Sequence, residues 1–430
     1  MKRKWITALL TSAILFGIAG CGTQDAPKDE RNATAQEGQA APEAAEKSAD
    51  ATVNVYVSTD LESSLDEEIE AYKEVKPGVE IVKHVIANDD YDDKMKVLLS
   101  GGAKDVDVFW GRVPAHVNNY QAVGALEDLA PYAAASGVDL GPVKDTALSV
   151  VSDGDAFYGL PIYSSCWMLF YNKALFDEAN VPYPTEQMTW DEYCELAESL
   201  THKDGDTQYY GGQCPNWTMN LGAIAAGEYL TDPEPLEKTR AYLEITNRMY
   251  SKSHVSIEDM SNSSWDNNAS FANGNVYMMI LGDWGYRDLD CPFEYGTAPL
   301  PVMDGVEPGS SVGNACYLCM SKNATDKQAA YDFMEFYTTS GIGTSITASS
   351  GNIPSYATDA AMKTYQESVK IDGIENRFAA KVLAEQTSDT DYAQLYEAFK
   401  QEAQLYLLGE ESIDDCMQKY FNMREEIKNR

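Results

Sequence analysis

The sequence predicts an α/β protein with a parallel sheet and more chain than one core can organise. Three observations carry this expectation. Strand-like and helix-like patterns alternate with a period of about 27 residues between Thr52 and Trp110, which calls for right-handed crossovers between parallel strands. The chain has 430 residues, so two lobes of roughly 150 to 200 residues are expected beyond its N-terminal segment. Its 44% hydrophobic and 23% charged content excludes disorder and collagen-like repeats for the bulk of the chain.

At the N-terminus, Lys2, Arg3 and Lys4 precede the largely apolar run Trp5–Ile18, which is followed by Ile18-Ala-Gly-Cys21. The run is short for a membrane-spanning helix and reads as a signal peptide over residues 1–21. Its last four residues resemble a bacterial lipobox, which implies lipidation at Cys21. An ordinary signal peptide with a chance cysteine is the alternative; the small residues before Cys21 and the tether after it favour the lipobox. Residues 22–51 contain no Val, Ile, Leu, Met, Phe, Trp, Tyr or Cys. They cannot bury enough apolar area to offset the entropy of ordering, so a disordered tether with ends roughly 30 Å apart is expected. This places the folded body on the outer face of a cytoplasmic membrane, held through its lipid alone.

The folded part opens with Val53, Val55 and Val57 alternating with Thr52, Asn54 and Tyr56, a strand pattern. Ser64-Leu-Asp-Glu67 has capping-box spacing, and Leu65, Ile69 and Tyr72 form one helical face up to Lys76-Pro-Gly78. A strand over 79–86, a helix over 91–100 stopped by Gly101, and a strand over 106–110 follow. Ligands of such sheets bind beyond the carboxyl ends of the strands. That directs attention to Asp60, just past the first strand, and to Trp110 and Arg112, at the end of the third. Neither loop has a GxGxxG or GxxxxGK pattern, so no nucleotide phosphate cradle is present there.

After Tyr158-Gly-Leu-Pro161 the chain leaves this unit. A strand over 162–171 leads to Thr189-Trp-Asp-Glu192, a second capping-box spacing, with Tyr193, Leu196, Ala197 and Leu200 on one helical face. Residues 275–280 read as a strand entering the turn Gly282-Asp-Trp-Gly-Tyr286, residues 314–320 as a returning strand, and residues 326–337 as a helix.

Charge and cysteine content narrow the function. Asp and Glu number 68 against 32 Lys and Arg, a formal net charge of -36, which repels phosphate backbones and excludes nucleic acid as a partner. Seven cysteines remain besides Cys21, an odd set that argues against a disulfide scaffold. Cys316 and Cys319 fall in a strand, where positions three apart face opposite sides, so they read as structural. No HExxH or metal-ligand cluster appears, and no cofactor is expected.

Five segments, in order, resemble the sugar-binding family of extracellular solute-binding proteins that serve ABC importers, the family of the maltose-binding protein. They are YGLPIYSSCWMLFYNKALF from Tyr158, MTWDEYCELAESLT from Met188, FANGNVYMMILGDWGYRDL from Phe271, APLPV from Ala298 and SKNATDKQAAYDFMEFY from Ser321. The resemblance implies a two-lobed, periplasmic-binding-protein-like α/β fold of type II, with discontinuous lobes joined by hinge strands. Residues 52–160 and 301–348 would form the N-terminal lobe, and 161–300 and 349–430 the C-terminal lobe, with crossings at Leu160 and Leu300. It also implies a monomer that takes a sugar or oligosaccharide to ABC permease subunits without catalysis. A receptor presenting ligand to a sensor kinase and a secreted glycosidase are the alternative functions.

A sugar offers apolar C–H faces rimmed by hydroxyls, so its site needs aromatic platforms with polar side chains around them. Tyr outnumbers Phe 27 to 12, which suits such a ligand. The resemblance makes Trp284 the expected stacking residue, with Asp283 and Tyr286 beside it, and Trp110 a second platform. Asp60 and Arg112 are the expected hydroxyl partners, and Tyr163 and Ser165 are expected to face the ligand just past the hinge. Trp217 and Trp265, in polar loop-like settings, complete the set; Trp190 opens an amphipathic helix and reads as packing. Tyr163-Ser-Ser165 stands where the maltose-type pattern has a glutamate, so maltose is not implied. Arg112 and Arg287, were both to face the cleft, would suit an anionic sugar such as a uronate.

Overall fold

A computed structural model describes residues 51–429 apart from 144–146, 186, 261–264, 375–376, 378–380 and 390. The signal peptide, the tether and Cys21 lie outside the described residues.

The first elements follow the sequence pattern closely: β1 (Ala51–Ser58), α1 (Glu62–Val75), β2 (Val79–Ile86), α2 (Tyr91–Ser100), β3 (Val108–Gly111) and α3 (Pro114–Ala122). Strand β1 pairs in parallel with both β2 and β3. One boundary differs from expectation. Helix α1 begins at Glu62, and its N-cap, Leu61, makes no side-chain cap bond. The Ser58 hydroxyl caps the short turn Thr59–Leu61 by accepting the Asp60 N–H, and this turn runs directly into α1. Ser64 therefore lies inside the helix, where its hydroxyl donates to the Leu61 carbonyl at 3.2 Å, and no capping box forms there.

The chain continues through β4 (Leu160–Asn172), α4 (Trp190–Leu200), β5 (Thr207–Gln213), β6 (Val276–Gly282), β7 (Tyr295–Pro299) and β8 (Ser310–Met320). It ends with α5 (Lys327–Thr339), α6 (Gly341–Ser349), β9 (Ile353–Pro354), α7 (Asp359–Ser368), β10 (Lys381–Ala384) and two long helices, α8 (Tyr392–Leu407) and α9 (Ile413–Lys428). At α4 the capping box is complete, with Thr189 and Glu192 each satisfying the other's backbone N–H. Trp190 is buried against Tyr193 and Tyr242.

One sheet runs in the order β2–β1–β3–β8–β4–β6–β5, with β7 and β9 on β4 and β10 on β8. The buried apolar residues nevertheless form two separate cores. One draws on residues 51–163 and 315–337, the other on residues 166–312 and 348–420. The strands that pass between them are β4 and β8, which pair antiparallel from Gly313–Cys166 to Leu318–Leu160 with an irregularity at Cys316/Tyr317. The second passage falls later than Leu300. Leu300 packs in the second core and the chain crosses within β8, between Val312 and Ala315. A side chain at Gly313 would block the crossing, since a Cβ there would lie 1.9 Å from the Ser165 carbonyl oxygen.

Candidate functional site

A cavity of ≈ 410 Å³ opens where β4 and β8 cross, with Ala147 and Val150 on one side, Ser165 and Asn314 from the crossing strands, and Arg377 and Leu383 on the other. The floor is tied together by Glu385, which follows β10. Its carboxylate accepts the Asn314 side-chain N–H at 2.9 Å and the Trp167 indole N–H at 3.4 Å. Burial raises its pKa above the ordinary carboxylate value, and the Trp167 hydrogen bond offsets part of that rise. A groove of ≈ 610 Å³ between α8 and α9 is larger, but it is a polar surface feature that touches neither crossing strand.

Beside the crossing, β6 ends at Gly282 and the chain turns through Asp283–Asp288. Gly282 has a steric reason: a Cβ there would fall 1.8 Å from the Trp284 ring, which folds back over it. Trp284 meets Trp167 edge-on at 5.0 Å. With Tyr163, Ser165 and Asn352 it lines a second, small cavity that shares Ser164 and Ser165 with the first. Asp283 is buried and paired with the Arg377 guanidinium, which also donates to the Ser164 carbonyl. Burial lowers the Arg377 pKa to about 10. Asp283 thus has its charge committed inside the wall. Tyr286 is committed too, since its hydroxyl donates to the Gly351 carbonyl and lies 3.2 Å from that of Tyr365.

On the opposite side, Trp110 is 3% exposed. Its backbone N–H donates to the Tyr91 hydroxyl at 2.9 Å, and the Arg112 guanidinium lies over its ring, 5.2 Å from the centroid. Arg112 donates to the Asn88 carbonyl and side-chain oxygens at 3.0 and 2.6 Å and pairs with Asp92 at 3.6 Å. Trp110 is therefore a covered ring rather than an open platform. Asp60 is exposed at the end of β1.

The structure brings Tyr163, Ser165, Asp283 and Trp284 together at the crossing. Trp217, 41% exposed, and Trp265, whose indole N–H donates to the Asn267 side chain at 3.1 Å, line neither cavity. Sequence reasoning missed Asn314, Arg377 and Glu385. Asn314 carried a signal, a lone amide in an otherwise apolar strand. Arg377 and Glu385 carried none, because the region around them has no periodic pattern to mark a buried charge.

Among the described residues no group of three His, Cys, Asp or Glu side chains is placed to hold a metal, and the seven cysteines are free thiols. Cys316 and Cys319 are both buried in the first core, and burial pushes the Cys316 thiol up to about 11.

Two cores joined by crossing strands, with a cavity between, define a two-lobed binding protein. The sequence matches the bacterial extracellular solute-binding protein family over residues 67–373, and the chain belongs to that family. Among curated proteins it is 24% identical over 225 residues to the sn-glycerol-3-phosphate-binding periplasmic protein UgpB of Brucella melitensis, covering 49% of this chain and 51% of that one. The Brucella abortus counterpart is 23% identical over the same shares, so the chain spans about half the length of these curated relatives. Among solved structures it resembles an ABC substrate-binding protein from Listeria monocytogenes in complex with cycloalternan, with a TM-score of 0.76, 20% identity and coverage of 88% of this chain and 99% of that one. A sugar transporter protein from Rhizobium etli in an open conformation gives a TM-score of 0.75 at 23% identity with the same coverage.

Proposed function

We propose that the protein captures a sugar or oligosaccharide between its two lobes and delivers it, unaltered, to an ABC importer. The observation that carries this reading is the cavity at the β4–β8 crossing, lined from both cores and bordered by the half-buried Trp284 ring. Together with the small cavity beside Trp284 it sets aromatic faces among Ser and Asn side chains, which suits a hydroxylated ring. The family and the sugar-bound neighbours support the same class of ligand. The lobes, 52–160 with 301–348 and 161–300 with 349–430 apart from the later crossing in β8, move as two bodies about β4 and β8. Only a ligand touching both has differential affinity for the closed form and shifts the equilibrium toward it. Permease subunits then read the closed surface of a monomer. Lipidation at Cys21 holds the protein on the outer face of the cytoplasmic membrane.

Thermal-shift screening of the full-length protein against mono- and oligosaccharides tests the capture step, because a ligand that binds only the folded state raises the melting temperature by mass action. X-ray scattering with the strongest hit should show a smaller radius of gyration. A panel without any shift, or a saccharide recovered hydrolysed, would refute the reading. Cys21→Ala should release the protein from membranes into the medium.

A further inference from the structure

The lining of the crossing does not end at Trp284. Gly351 borders both the small cavity beside Trp284 and a further one of ≈ 310 Å³. The latter is bounded by Tyr286 and Arg287 on one side and by Ser350, Ser368 and Lys370, at the ends of α6 and α7, on the other. Shared residues thus connect three cavities in one line, from Leu383 past Trp284 to Lys370.

The far end of that line has an unusual charge for this protein. The chain carries 68 acidic and 32 basic residues, yet the cavity is lined by two cations and no carboxylate. Among the described residues neither Arg287 nor Lys370 forms an ion pair, whereas Arg377 is bound to Asp283 and Arg112 to Asp92. The Arg287 Nε donates to the Trp284 carbonyl at 3.3 Å. The C-termini of α6 and α7 open into the same space, but a helix C-terminus carries about half a negative charge. Two of them offset about one of the two cations, and about one positive charge is left over.

Arg287 also reaches toward the crossing. Burial pushes the Tyr163 hydroxyl and the Cys316 thiol up, and the Arg287 guanidinium draws both partly back. Arg112, from the other lobe, acts on Cys316 in the same sense. Cations from both lobes therefore approach the Tyr163–Cys316 pair, with that of Arg112 partly offset by Asp92.

We infer that the cavity between the Trp284–Tyr286 turn and the ends of α6 and α7 is a subsite for the anionic group of a bound saccharide. Arg287 and Lys370 supply its two cations, and the Ser350 and Ser368 hydroxyls flank them. This rests on the capture reading above and narrows it to acidic ligands, a sugar carboxylate or a sugar phosphate ester. The neutral part of the ligand lies against Trp284 and Ser165, and its anionic end meets Arg287, whose bonds to an anion are stronger than bonds to a hydroxyl.

The test is titration calorimetry of the full-length protein at low salt with three probes: a uronic acid oligosaccharide, the same oligosaccharide with its carboxyls reduced to hydroxymethyl groups, and a hexose phosphate. The expected result is that one acidic probe binds about tenfold or more tighter than the neutral one. That advantage should shrink in 0.5 M salt, and it should fall toward unity in Arg287→Gln and Lys370→Gln proteins. The tighter acidic probe tells carboxylate from phosphate. A neutral oligosaccharide that binds as well as its acidic parent overturns the anionic subsite and leaves the capture reading standing. If all three probes fail to bind while neutral sugars from the wider panel do, the result is the same. An acid preference that survives both substitutions also overturns the assignment.

Discussion

Glu68 in the first lobe and Asp283 in the second are buried carboxyl groups accommodated in opposite ways. Glu68, on the inner face of α1, is fully buried with no hydrogen-bond partner for either carboxyl oxygen. Burial, reinforced by the neighbouring Glu67 charge, raises its pKa to about 9, so it sits in the first core as a neutral acid. Asp283, in the second lobe, is nearly as buried but is paired with the Arg377 guanidinium. The difference follows what each position must do. Glu68 fills volume on the buried face of α1, and a protonated side chain suffices. Asp283 joins the Trp284 turn to a segment almost a hundred residues later, and a directional ion pair fixes the two against each other as an apolar contact would not.

The largest effect should come from breaking that pair. Asp283→Ala leaves the Arg377 guanidinium buried without its counter-charge, and such a loss costs roughly 3–5 kcal/mol. Urea unfolding should show it as a lower midpoint at unchanged slope. Glu68→Gln should do the reverse. The folded pKa of Glu68, about 9, lies above the ordinary carboxyl value of 4.5, so its contribution is fully present below pH 4.5 and is lost as the pH rises toward 9. An isosteric amide is free of that loss. It should stabilise the protein by about 3 kcal/mol at pH 7, taking about 1.4 kcal/mol per pH unit between the two values. The gain should vanish at pH 4, and a gain independent of pH would show that Glu68 is ionised in the folded protein.

The two candidate platforms give a similar contrast at smaller scale. Trp110 is covered by Arg112, while Trp284 is half-buried over Gly282. Trp284→Ala should therefore weaken saccharide binding by about 2 kcal/mol, as truncation of a central aromatic contact does. Trp110→Ala should act mainly on stability. Calorimetry and melting curves on both variants separate the two roles, and equal losses of affinity would remove the distinction between them.

The same contrast decides what could be read from the sequence. Strands β1 to β3 and helices α1 and α2 were legible because each pairs with its neighbour along the chain and alternates with a strict period. The crossing strand β4 and the Gly282–Tyr286 turn were legible through the family's segment order. The passage through β8 was displaced by about a dozen residues, because Leu300 and Val302 stay with the second lobe through the Trp190–Val302 backbone bond. Arg377 and Glu385 were invisible. Their partners, Asp283, Asn314 and Trp167, lie far away in sequence, and a buried charge without local periodicity looks like a surface charge until the fold brings its partner.

The smallest test concerns two identical sequence signals that had different outcomes. Ser64-Leu-Asp-Glu67 and Thr189-Trp-Asp-Glu192 have the same capping-box spacing, yet only the second forms the box. At α4 the chain arrives in extended conformation, so Thr189 sits at the N-cap and accepts the Glu192 N–H at 3.2 Å while the Glu192 carboxylate takes the Thr189 N–H at 2.8 Å. At α1 the Ser58-capped turn supplies helical backbone before Ser64 is reached, and Glu67 is exposed with no terminus to reach back to. Thr189→Ala should cost about 1 kcal/mol, whereas Glu67→Ala should stay within about 0.5 kcal/mol of the parent. Equal losses in chemical denaturation would mean that α1 starts at Ser64 in solution, and that the turn leading from β1 past Asp60 is differently shaped.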